Sequence, residues 1–149
     1  MSLKEKIKDD IKQAMRDKNE SRVTTLRMLS AAIQRREVDE RIQLDDTQVM
    51  AVIEKLVKQG RESIEQYVKG GRPELAEKES GEIAIFQAYL PQQLSEAEID
   101  KLVVEAIAAT GASSVKDMGK VMGVLKPKLQ GRADIGQVGG KIKAKLGAA

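Results

Sequence analysis

The sequence contains no cysteine, no histidine and no tryptophan, and its aromatic residues amount to two tyrosines and one phenylalanine. Without cysteine there is neither disulfide nor thiolate nucleophile, a composition that suits a reducing compartment. Without histidine the commonest general base and the commonest transition-metal ligand are both missing. Most catalytic plans are thereby excluded, and neither a cofactor nor a metal is expected. No apolar run approaches the roughly 20 residues needed to cross a bilayer. The opening decapeptide, MSLKEKIKDD, is charged throughout and lacks the apolar centre of a signal peptide. These features point to a cytoplasmic protein without a membrane partner.

What is present is a chain of 149 residues, 41% hydrophobic and 33% charged. A core must therefore be assembled from Leu, Ile, Val, Ala and Met, residues that favour helices packed on helices. The net charge of +3 is unevenly distributed: residues 111–149 carry +6, which leaves −3 on residues 1–110. The two ends have different electrostatics.

Apolar residues recur at helical spacing along almost the whole chain, and no stretch alternates convincingly enough for a strand. A first helix aligns Leu3, Ile7, Ile11 and Met15. A second starts near Asn19 or Ser21, buries Val23, Leu26, Leu29 and Ile33, and loses its pattern in the charged stretch from Arg35 to Arg41. A third follows a cap at Asp45 or Asp46 and runs through Val49, Val52, Ile53, Leu56, Val57, Ile64, Tyr67 and Val68 to Gly70-Gly71. Pro73 suits the first turn of a fourth, which carries Leu75, Phe86 and Leu90. Pro91 lacks an N–H and disfavours α geometry at Leu90, so a boundary is placed there.

Beyond it, Ser95 and Glu98 form a capping box for a fifth helix with Ile99, Leu102, Val103, Ala106 and Ile107, ended by Gly111. A sixth is expected from Val115 to Leu129, with Val115, Met118, Met122, Leu125 and Leu129 inside. Asp134 caps a seventh carrying Ile135, Val138, Ile142 and Leu146. The expected architecture is all-α, with a four-helix domain over residues 1–91 and a three-helix module over residues 92–149.

The module's candidate site is its cluster of cations. Lys116, Lys120, Lys126, Lys128, Arg132 and Lys141 surround Gly119 and Gly123, which stand one turn apart. Each glycine costs about 1 kcal/mol relative to alanine in a helix interior. Two uses justify that cost: close packing by the fifth or seventh helix, the commoner one, or a bare face that a nucleic-acid backbone can approach. The cations either attract phosphates in a salt-dependent way or merely solvate the surface. With no aromatic residue after Tyr89, stacking on bases is not available. Acidic pairs such as Asp45-Asp46 are read as caps, and Glu74, Glu77 and Glu82 as a solvated face.

Three segments carry a family resemblance: Phe86-Gln-Ala-Tyr-Leu-Pro-Gln-Gln-Leu-Ser95, Asp117-Met-Gly-Lys-Val-Met-Gly123 and Lys128-Leu-Gln-Gly-Arg-Ala-Asp134. They resemble the signature segments of the YqeY-like family over the whole length. In that family the C-terminal module is similar to the tail domain of the B subunit of tRNA-dependent amidotransferases. The resemblance implies a helical fold and a tRNA contact through the residues above. It also associates the chain with carbon–nitrogen ligase activity using glutamine as amido-N-donor. It implies no catalysis by the chain itself, since the phosphorylating and glutamine-hydrolysing sites of those enzymes lie in other domains and subunits. A protein partner of the translation or tRNA-charging machinery is a further expectation. The rival reading is a protein–protein adaptor working through the N-terminal amphipathic helices.

Overall fold

The computed structural model describes residues 1–147 and is all-α: seven helices, no strand among the described residues, and no described helix long and apolar enough to cross a membrane. In order they are α1 (Leu3–Arg16), α2 (Glu20–Glu40), α3 (Asp46–Lys69), α4 (Pro73–Gln87), α5 (Glu96–Thr110), α6 (Met118–Leu129) and α7 (Ile135–Gly147), with one 3₁₀ turn (Val115–Asp117) before α6. Two compact units divide the chain, Met1–Leu90 and Pro91–Ala149. The helix-breaking geometry of Pro91 lies at that division.

Helix starts follow local hydrogen-bonding chemistry. Ser2 and Asp45 close full capping boxes, with Glu5 and Gln48 returning a bond to the cap residue. Asn19 accepts from the Arg22 N–H, and Pro73 opens α4. Ser95 accepts from the Glu98 N–H at 3.2 Å, yet the returning Glu98 bond is not made, so only half of the expected box forms. Gly111 ends α5 with φ of 66°, the left-handed region glycine adopts without strain.

The N-terminal core joins Ile7 of α1, Leu26, Leu29 and Ile33 of α2, Val49, Val52, Ile53 and Val57 of α3, and Ile83 and Phe86 of α4. Helices α3 and α4 make the tightest seam. Gly60 is buried there, and a Cβ placed on it would stand 2.8 Å from Ile83 Cγ1 and 2.9 Å from its Cδ1. Tyr89 fastens the end of α4 to α1: its hydroxyl donates to Asp10 at 2.5 Å, and the Lys6 ammonium lies 5.6 Å from its ring centroid. Burial, followed by the Asp10 bond, pushes the Tyr89 hydroxyl's pKa up.

Two sequence expectations are corrected. First, α2 does not stop at the charged stretch but runs to Glu40. Arg36 pairs with Glu40 one turn on, and Glu37 accepts from Lys4 Nζ at 2.7 Å and from the Leu44 N–H at 2.8 Å. The charges there are partners, so loss of apolar period is not loss of helix. Second, the sixth helix begins at Met118, because residues 115–117 form the tighter 3₁₀ turn. That turn takes Val115 out of the helical stripe, while Leu125 and Leu129 are buried at their expected places. Val121 fills the core instead, and Val115 stays 42% exposed.

Gly60→Ala should destabilise the N-terminal unit by roughly 1–3 kcal/mol, as overpacking does, read from its urea midpoint. A second prediction concerns acid. The hydrogen bond from Lys4, then that from the Leu44 N–H, hold the Glu37 carboxyl below its ordinary 4.5. A depressed carboxylate adds stability above the ordinary range and loses it as pH falls through the folded value. Glu37→Gln should be less stable at neutral pH and show a shallower loss of stability than wild type below about 4.5, measured by denaturation at stepped pH.

Candidate functional site

In the C-terminal unit α5, α6 and α7 close on Val103, Ala106, Val121, Leu125, Leu129, Val138, Ile142 and Leu146. The segment entering the unit is stitched to the turn between α6 and α7. The Leu94 N–H donates to the Arg132 carbonyl at 2.9 Å, Gln93 Nε2 to the Gly131 carbonyl at 2.6 Å, and Arg132 Nε to the Gln92 carbonyl at 3.1 Å. Arg132, expected on the binding face, thus holds the unit's entry in place.

Lys141 is likewise committed. Its ammonium donates to Asp100 at 2.9 Å across α7 and α5, a pairing that lowers the aspartate pKa and raises the lysine's. Of the remaining candidates, Lys116, Lys120, Lys126 and Lys128 are exposed. At about 100° per residue, Gly119, Gly123 and Pro127 form a strip on the outer face of α6 edged by Lys120 and Lys126, while Lys128 stands about 140° around from it.

Packing does not explain the two glycines. A Cβ on Gly119 or Gly123 would meet nothing within 4 Å, so the expectation that a neighbouring helix presses on them is overturned. The glycine that does serve close packing is Gly60, and its sequence context, Lys-Gln-Gly-Arg inside a long helix, carries no spacing motif to announce it. Before α6, the Asp117 carboxylate accepts from the Ser113 N–H at 3.0 Å and the Ser114 N–H at 3.4 Å. Those bonds hold its pKa below the ordinary value. The serines belong to the turn that leads into α6. Among the described residues no group of His, Cys, Asp or Glu could hold a metal ion. Glu74 of the acidic α4 face pairs with Arg72 at 2.6 Å.

The N-terminal unit holds a concave feature of its own. A trough of about 530 Å³ lies between α2 and α3, lined by Ala32, Arg35, Arg36, Asp39 and Glu40 on one wall and Ala51, Val52, Lys55, Leu56 and Gln59 on the other. Val52 and Leu56 belong to or pack on the core, and Ala32 and Ala51 are too small to fill the gap above them. A shallower depression next to it is lined by Ala31, Gln34, Arg35, Val38 and Asp39. Val38 is 68% exposed, so apolar surface continues over the lip of α2. No single residue signalled this trough. It required α2 to persist beyond Arg35.

Because Gly123 touches nothing, Gly123→Ala should raise the stability of the C-terminal unit by roughly 0.5–1 kcal/mol, the helix-interior difference between the two residues. Thermal unfolding of the two proteins checks this.

Comparison with known proteins places these features. The family model described as "Yqey-like protein" matches residues 4–146. A protein of Pyrenophora tritici-repentis named "Altered inheritance of mitochondria protein 41, mitochondrial" is 31% identical over 96% of this chain and 80% of its own length. Proteins of the same name from Eremothecium gossypii and Lachancea thermotolerans are 41% and 40% identical over 56% and 65% of this chain. The matches span 46% and 54% of those two relatives, about half their length. These names overturn two expectations. They attach the relatives to mitochondria, which corrects the cytoplasmic assignment, and they speak for neither tRNA binding nor amidotransferase chemistry. Within the C-terminal unit Arg132 and Lys141 are engaged by Gln92 and Asp100, while Lys116, Lys120, Lys126 and Lys128 stay exposed. With the family match covering nearly its whole length, the chain belongs to the Yqey-like protein family.

Proposed function

We propose that this protein is a docking module for another protein, which lays a helical segment in the trough between α2 and α3. The observation that carries this is the trough's form. Its walls are two helices whose lining residues recur three and four positions apart, at 32, 35, 36, 39 and 40 and at 51, 52, 55, 56 and 59. Such rows present ridges along which a third helix can lie, its apolar positions meeting an apolar floor. From Ala32 to Glu40 the wall is about 12 Å long, a little over two helical turns.

Contact there extends onto exposed Val38, and it removes Ala32, Ala51 and Leu56 from water. The relatives' names support a mitochondrial setting for the partner. In such a role the protein recognises and positions, and the chemistry belongs to what it binds.

The test is a titration of the full, isotope-labelled chain with a synthetic amphipathic helix of about 12 residues bearing leucines at i and i+4. Amide shifts should concentrate at Ala32, Arg35, Val38, Ala51 and Leu56 and disappear in Ala51→Arg, whose side chain blocks the trough from an exposed position. Shifts spread evenly over both units, or no shifts, would contradict the proposal.

A further inference from the structure

We infer that the segment seated in the α2–α3 trough is an acidic amphipathic helix, its carboxylates placed against Arg35 and Lys55; this rests on the docking role proposed above. The trough contains five charged side chains: Arg35, Arg36, Asp39 and Glu40 from α2, and Lys55 from α3. Two of them cancel. Arg36 Nε meets Glu40 at 2.5 Å, and Arg36 also reaches the Gln48 carbonyl at 3.4 Å. That couple occupies the end of the trough nearest the α2–α3 turn and offers little to a ligand.

Arg35 and Lys55 remain. They stand exposed on opposite walls, and neither is engaged by a carboxylate among the described residues. The one unengaged acid of the lining, Asp39, lies one turn beyond Arg35 on the same wall. The rim therefore presents two free cations to one free acid, above a floor of Ala32, Val52 and Leu56 that contributes no charge.

A docked helix would expel water from that floor and raise the strength of the flanking charge interactions relative to open solvent. A basic helix would place its cations against Arg35 and Lys55, and an acidic one would pair with both. Asp39 adds polarity: the end of the segment lying over it carries a neutral or basic residue. Apolar contacts hold the segment, and the rim charges select its sign and direction.

The experiment uses the full chain and two labelled peptides with the same leucine stripe, one flanked by glutamates and the other by lysines, followed by fluorescence anisotropy. Wild type should bind the acidic peptide about fivefold or more tightly than the basic one, from two rim pairs of ordinary strength. The preference should shrink as salt is raised. In R35E/K55E the order should reverse, and in R35Q/K55Q the two peptides should approach parity. All four substitutions lie at exposed positions outside the core, and circular dichroism verifies the helices. Equal binding of both peptides to wild type would overturn the charge assignment while leaving the docking role standing. Binding of neither would overturn both. Concentration-dependent self-association abolished by Ala51→Arg would also overturn the inference, making a second copy the occupant.

Discussion

Glu37 accepts hydrogen bonds from two distant parts of the chain, the ammonium of Lys4 on α1 and the backbone N–H of Leu44 in the turn leading to α3. Lys4 also reaches Gln43 at 3.0 Å. One carboxylate thus ties the start of the first helix, the last turns of the second and the entry to the third. Its effect is to keep α2 helical through a stretch with almost no apolar residues, where burial alone gives little reason to remain ordered. Without those extra turns α2 would end near Arg35, and the wall formed by Arg35, Arg36, Asp39 and Glu40 would be lost. The trough depends on a polar contact.

The two units use their small and charged residues differently. Gly60 is buried at the α3–α4 seam because Ile83 occupies the space a side chain would need. Gly119 and Gly123 stand on an outer face where a side chain would meet nothing. Identical residues in similar helices therefore carry opposite consequences, decided by what lies across from them. The cations of the C-terminal unit show the same logic. Lys141 and Arg132 are held by Asp100 and the Gln92 carbonyl, and helical rotation sets Lys128 about 160° from Lys126. Charge counted along a segment does not measure charge presented on a surface.

Much of the fold was legible in the residues. Stripes such as Leu26, Leu29 and Ile33, or Val138, Ile142 and Leu146, face the cores as their spacing indicates, because burial of an apolar face is what organises a helix in water. Caps at Asp45 and Ser95 and the stop at Gly111 obey local rules that need no tertiary information. Reading failed where apolar period was the only guide. The charged end of α2 is helical through side-chain pairing, and the residues before α6 form a 3₁₀ turn, closed by the Asp117 bonds, that leaves Val115 exposed. The trough was not legible, since its lining residues come from two helices and only their spacing apart creates it.

By itself the sequence determined the helical class, the places where most helices begin and end, and the absence of histidine and cysteine chemistry. Those properties are local: they depend on residue type, on neighbours three or four positions away and on composition. Tertiary structure alone decided which charges remained free, which glycines were covered and where two helices left a space between them. Each of these depends on contacts between residues tens of positions apart, such as Lys4 with Glu37 and Asp100 with Lys141. Pairing across such distances is set by the packing of whole helices, and no local pattern encodes it.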